Sequence, residues 1–310
     1  MREKLEAAHF ELAGVAGGEF ANVTIAPREV LIAENDQPVF YTQSLNQIIA
    51  WRGVGKTVFA LGMAGALTSG GQLLKFKAGR RSKVMYIDGE LPLYQMQERV
   101  RDLIPEQGRE NFYLINAEMS QSKAPIDLGN PKMWDSLRRR LDAFKPDVLI
   151  LDSRSTLFPS MESNKEDHQG MLQTRFQELR LRKLCVIEAH HLGKNGLQRG
   201  HSRNDDALDV QMKLGKPDDW EPGQGLRFVL GYEKVRHSAQ LDSDYQVTFN
   251  KSRKTFERSD FTVEQLEIAR RLDAGQSYQQ ITKELGASSR TIAKVANKRK
   301  KMTPAAGIPY

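Results

Sequence analysis

Residues 44–69, "SLNQIIAWRGVGKTVFALGMAGALTS", join an apolar strand pattern to a long apolar helical pattern through a short loop of Gly, Lys and Thr. No other junction constrains the chain as strongly. A phosphate loop must aim backbone N–H groups inward and feed a helix N-terminus, so it needs residues that tolerate unusual backbone angles. Gly53 and Gly55 supply that tolerance, Lys56 has the reach for β- and γ-phosphates, and Thr57 brings a hydroxyl for Mg²⁺. Arg52, Gly53, Val54, Gly55, Lys56, Thr57 and Val58 are therefore the candidate nucleotide-binding residues, with ATP and Mg²⁺ as the expected cofactors. Ala50 stands where such loops usually begin with glycine. At the turn out of a strand a methyl group is tolerable, whereas positions 53 and 55 approach the phosphates more closely.

Downstream the chain alternates strands and helices. "KVMYIDGE", "NFYLINA", "PDVLILD" and "KLCVIEAHH" read as strands, and "LYQMQERVRDLI", "PKMWDSLRRRLDAF" and "GMLQTRFQELRLR" as helices. The continuous apolar run of "PDVLILD" belongs to a strand buried on both faces. This alternation predicts an α/β fold, a mostly parallel sheet flanked by helices. After residue 205 the texture changes to hairpin-like strands: "LDVQMKL", "LRFVLGYEKV", "YQVTFNKS" and "KTFERS". Two polar stretches, 158–170 and 193–206, follow core strands and read as loops where open α/β sheets place ligands. The first twenty residues read as an amphipathic arm with Leu5, Ala8 and Leu12 on one side.

Three strand tips carry the chemistry such a loop requires. Asp152 ends "VLILDS" and can orient Mg²⁺ directly or through water. Glu90, just past "VMYID", can polarise an attacking water. His190 and His191 close "VIEAHH"; they read as a metal fragment, as a γ-phosphate sensor or as plain structural histidines.

Together "AWRGVGKT", "YIDGELP", "LILDS", "AHHLGK" and "RGHSR" resemble the RecA-type ATPases of the plasmid RepA replicative-helicase group, with the DnaB and KaiC families as wider relatives. The resemblance spans about residues 28–250 and implies a RecA-like core. It implies that Lys56 and Thr57 are the phosphate-loop lysine and Mg²⁺ ligand, Glu90 the catalytic glutamate and Asp152 the Mg²⁺-side carboxylate. His191 matches the γ-phosphate sensor, with His190 adjacent, and Arg99 an arginine near the glutamate. In "GYEKVR", Lys234 and Arg236 match cations that act on a neighbouring subunit's nucleotide, and strand alternation places both on one face. Such relatives form homo-oligomeric rings, typically hexamers, with DNA in the channel. Lys194, Arg199 and Arg203, on the glycine-rich 193–206 loop beside His201, are the candidate single-strand contacts.

Residues 261–301 have a third texture. Thr262 and Gln265 have capping-box spacing, with Leu266, Ala269 and Leu272 on one face before Gly275. Ser277 can cap a second helix with Ile281 and Leu285 inward, and Ser289 a third with Ile292 and Val295 inward. Three short helices with a glycine-containing turn before the last match a helix-turn-helix, and resemble the DNA-binding module of resolvases and response regulators. In that reading Ser289, Arg290 and Lys294 face the major groove, and Lys298 and Arg299 meet phosphates. The chain thus divides into an arm (1–20), a RecA-like core (21–258), the helical module (261–301) and a tail (302–310).

Net charge is +7, and "KVANKRKK" near the end carries five cations and no anion, which suits a polyanionic partner. The single cysteine, Cys185, excludes an intrachain disulfide and a cysteine zinc cluster. Residues 57–74 are uncharged, but their glycines and polar residues suit a buried helix better than a membrane span. With no apolar signal core at the start, the expected location is the cytoplasm. Two functions stay open: an ATP-driven helicase, or an ATP-switched DNA-binding regulator or loader that does not unwind. Glu90, Lys234 and Arg236 argue against a third, a non-hydrolysing assembly protein.

Overall fold

The computed structural model describes residues 13–120, 124–161, 166–192, 207–217, 220, 221, 223, 225–237, 241, 244–259 and 263–302. Its strands are β1 (Val30–Glu34), β2 (Gln37–Tyr41), β3 (Ser44–Ala50), β4 (Gln72–Leu73), β5 (Phe76–Ala78), β6 (Val84–Asp88), β7 (Phe112–Asn116) and β8 (Val148–Asp152). They continue with β9 (Cys185–His191), β10 (Val210–Gly215), β11 (Arg227–Val235), β12 (Tyr245–Asn250) and β13 (Thr255–Ser259).

A nine-stranded sheet runs β13-β12-β11-β10-β3-β9-β8-β6-β7. From β10 to β7 all neighbours are parallel, and β11 to β13 add an antiparallel meander. The expected mixed α/β architecture is what forms. Alternate residues of the parallel strands feed two cores. Val84, Tyr86, Val148, Ile150 and Ile187 pack with the helix Lys56–Ser69, while Met85, Ile87, Leu149, Leu151 and Val186 pack with the helices Pro131–Phe144 and Glu166–Leu181. Burial on both faces is why these strands read as unbroken apolar runs. Phe59, from the first helix, meets Phe76, Phe228 and Phe256 edge-on at 5.7–6.4 Å between ring centroids. A four-stranded antiparallel sheet, β2-β1-β5-β4, sits beside this core.

The helix Lys56–Ser69 ends at Gly70, which adopts φ +67° and lets its N–H close the last turn. No helix among the described residues is long and apolar enough to cross a membrane. The uncharged 57–74 stretch is this buried helix and the turn after it.

Some expectations need correction. The 158–170 loop is shorter than its polarity suggests, because a 3₁₀ turn holds Pro159–Met161 and the next helix already begins at Glu166. The polar sequence "EDHQ" is that helix's first turn, not loop. Leu5, Ala8 and Leu12 of the arm, and Lys194, Arg199, His201 and Arg203 of the second loop, lie outside the described residues.

At the C-terminal end three helices form, Val263–Asp273, Tyr278–Leu285 and Ser289–Met302, around their own cluster of Ile268, Ala269, Ile281, Ala287, Ile292 and Val295. Ile268 and Ala287 belong to this cluster although the sequence reading passed them over. Ser277 caps the second helix reciprocally with Gln280. The third helix is capped by Ser288, whose Oγ accepts the Thr291 N–H at 3.1 Å, and not by Ser289, which is the first helical residue. Thr262, the proposed first cap, and Leu266's side chain lie outside the description.

Candidate active site

The parallel register brings the chemistry-bearing tips together. Ala50 pairs with His191, and Asp152 pairs with both Asp88 and Ala189. Ala50 is fully buried at the end of β3 and accepts the Leu192 N–H at 3.0 Å, so its methyl group is part of the sheet. The loop proper follows it. Gly53 and Gly55 hold φ +76° and +113°, conformations costly for any residue with a Cβ. A Cβ on Gly55 would also stand 2.3 Å from Leu226 Cδ1. Val54 is buried and Val58 packs against the same core, so both hold the loop, while Trp51 and Arg52 are exposed.

Lys56 opens the helix and is buried. Its Nζ lies 2.7 Å from His191 Nδ1, and His191 Nε2 lies 3.0 Å from Glu90 Oε1. Ser153 donates its hydroxyl to the same Glu90 oxygen. Phosphate-loop lysine, histidine and glutamate are therefore one hydrogen-bonded chain. Burial pushes Lys56 down to about 8, against the pull of Asp152 and Glu90. The His191 hydrogen bond, with help from Ser153, holds the Glu90 carboxyl at about 2.

Asp152 is buried beneath this chain. Its Oδ2 accepts the Tyr86 hydroxyl at 2.7 Å, and Thr57 hydrogen-bonds to its carboxylate. Burial raises its pKa, and those two hydrogen bonds oppose the rise. A threonine hydroxyl already paired with a buried carboxylate offers the hard oxygen donors that Mg²⁺ takes, directly or through water. Among the described residues no group of three or more His, Cys, Asp and Glu side chains could hold a metal, so none of them completes a metal cluster with His190 and His191.

Arg99 is half-buried on the helix Leu93–Leu103, close enough to Tyr86 for its charge to act on the phenol. Lys234 and Arg236 stand elsewhere. β11 runs antiparallel to β10, and Val235 is opposite Val210, which itself pairs with Asn46 at the far end of β3 from Ala50. Four residues of strand, about 13 Å, separate these levels. Arg236 lies just past the strand, its N–H on the Asp209 carbonyl at 2.9 Å. Neither cation joins its own chain's lysine, histidine and glutamate. Ser289, Arg290 and Lys294 are exposed on the last helix; Lys298 and Arg299 lie on it too, their side chains undescribed.

Sequence reasoning gave no role to Tyr86, Asp88, Asn116 or Ser153. The "DS" after β8 and the "D" two residues before Glu90 were the available signals, since both stand at strand tips that the motif order had already selected.

Fold and site together define a P-loop ATPase with a RecA-like core. Residues 11–197, more than half of the chain, match the AAA domain family, and the protein belongs to it. A KaiC-like protein from the hyperthermophilic archaeon Pyrococcus horikoshii shares the fold, with a TM-score of 0.51 at 11% identity over 72% of this chain and 92% of that one. No curated protein matches the sequence.

Proposed function

We propose that the protein is an ATP-hydrolysing ring protein that acts on DNA, resembling RepA-type replicative helicases of plasmids and mobile elements and assembling as a hexamer. The observation that carries this reading is the division of the chemistry between opposite ends of the sheet's strands. Lys56, His191 and Glu90 converge at one end, while Lys234 and Arg236 sit towards the other. Cations that cannot reach their own site stabilise transition-state charge only in a neighbour's, so hydrolysis belongs to subunit interfaces.

Held by His191 and Ser153 at its Oε1, Glu90 is a weak base. Phosphate oxygens draw Lys56 away from His191, His191 turns to the γ-phosphate, and Glu90 is released to polarise water. Thr57 and Asp152 would hold Mg²⁺, directly or through water, and the ion would supply positive charge against the phosphates. Exposed Arg290 and Lys294, with Lys298 and Arg299, make the last helix the duplex-contacting element of a helix-turn-helix. Lys194, Arg199 and Arg203 track a single strand in the channel.

ATPase assays with and without single-stranded DNA, paired with strand displacement on a forked duplex, test this. Lys56→Ala and Glu90→Gln are expected to abolish turnover, and mixing Arg236→Ala with Glu90→Gln subunits to restore part of it. Normal hydrolysis by Glu90→Gln overturns the catalytic assignment. The three-helix module with its exposed cations also favours a second reading, an ATP-switched regulator or loader. Hydrolysis without strand displacement selects it.

A further inference from the structure

We infer that Asp88 and Asn116 are positioning residues for Glu90, an inference that rests on Glu90 being the base that polarises water. The segment between β6 and the helix Leu93–Leu103 must turn sharply yet present Glu90 to His191. Every N–H in it has an acceptor. Gly89 donates to the Asp152 carbonyl at 2.8 Å, Glu90 and Leu91 to Asp88 Oδ1 at 3.1 and 3.3 Å, and Leu93 to Glu118 Oε2 at 3.0 Å; Pro92 has none to give.

Asn116, Asp88's register partner on β7, closes the clamp. Its Nδ2 donates to Asp88 Oδ2 at 2.7 Å and to the Leu91 carbonyl at 2.9 Å, while its Oδ1 accepts the Glu118 N–H at 2.9 Å. One amide thus ties the tip of β6, the loop and the residue that caps the next helix.

Asp88 is fully buried and its oxygens are taken by three protein donors, so it is closed to water, metal and nucleotide. Burial pushes its carboxyl up to about 6, against the pull of the loop N–H groups and Asn116. What the carboxylate fixes is the direction of Glu90, whose side chain is the partly exposed member of the pair.

Steady-state kinetics, direct nucleotide binding and imidazole ¹⁵N NMR of His191 on the full chain test this. Asp88→Ala is expected to lower kcat at least tenfold while the nucleotide Kd stays within threefold, and to abolish the His191 Nε2–Glu90 hydrogen-bond signature. Asp88→Asn keeps an oxygen for both loop N–H groups but sets an NH₂ against the Asn116 Nδ2 donor, so its kcat is expected to fall between wild type and Asp88→Ala. Asn116→Ala leaves Asp88 in place, removes three clamp bonds, and is expected to give a weaker form of the same split; it serves if Asp88→Ala does not fold. The inference is overturned if Kd rises in proportion to the loss of kcat, or if the His191 signature is unchanged. The NMR readout needs no turnover, so loss of the signature alongside an active Glu90→Gln variant removes the catalytic reading and leaves the clamp.

Discussion

His191 bridges the lysine and the glutamate of the site, with Nδ1 2.7 Å from Lys56 Nζ and Nε2 3.0 Å from Glu90 Oε1. An ammonium group only donates and a carboxylate only accepts, which dictates how the ring is protonated. At pH 7, below the value of about 8 to which burial brings Lys56, Nδ1 must accept and Nε2 must carry the hydrogen. Imidazole ¹⁵N shifts at pH 7 are expected to show the Nε2–H form, and a non-hydrolysable ATP analogue with Mg²⁺ is expected to shift Nδ1 as Lys56 leaves it. An Nδ1–H ring in the nucleotide-free protein would break the chain as described.

The loop's first and sixth positions respond oppositely to single-methyl changes. Ala50 is buried within β3, so Ala50→Gly removes packing and adds backbone freedom, and is expected to cost about 1 kcal/mol in urea unfolding. Nucleotide affinity should not improve. Gly55→Ala meets both φ +113° and Leu226 Cδ1, and is expected to weaken nucleotide binding at least tenfold. Adding Leu226→Ala relieves the contact but not the backbone angle, so recovery should be partial. Full recovery would assign the whole defect to the side-chain contact.

Most of the parallel half was legible because its strands are buried on both faces and their runs are unbroken, and the long apolar pattern after the loop is the helix Lys56–Ser69. The tips carrying Lys56, Glu90, Asp152 and His191 were legible from motif order alone. Their supports were not. Asp88 and Asn116 are 28 residues apart and meet only through the β6–β7 register, which no local pattern encodes. The cap at Ser288, and not at Ser289, was hidden for a different reason. Two adjacent serines satisfy the same rule, and backbone geometry alone selects between them.

Glu178 gives a stability signal away from the site. Arg138 hydrogen bonds, aided by Trp134, hold its carboxyl at about 2 against 4.5 for the unfolded chain. A depressed acid stabilises the fold above its unfolded value and loses that contribution as pH falls towards the folded one. Glu178→Gln is expected to cost about 1–2 kcal/mol at pH 7, allowing for solvent screening at the half-exposed Arg138. The gap to wild type should narrow between pH 5 and pH 3 in urea titrations. A gap independent of pH would mean that packing, not the ion pair, carries the effect.

The C-terminal module allows the proposed DNA contact to be tested apart from turnover. Ile292 is fully buried in a cluster of its own, apart from both cores of the sheet, while Lys294 is exposed on the same helix. Ile292→Ala removes a buried side chain at about 2–5 kcal/mol, more than three short helices can spare. It is expected to unfold the module and abolish duplex binding while basal ATPase activity persists. Lys294→Ala leaves the packing intact and removes one cation from the face expected to enter the major groove. Duplex affinity is then expected to fall. If Ile292→Ala binds duplex DNA as tightly as wild type, the contact lies elsewhere and the last helix is not the recognition element.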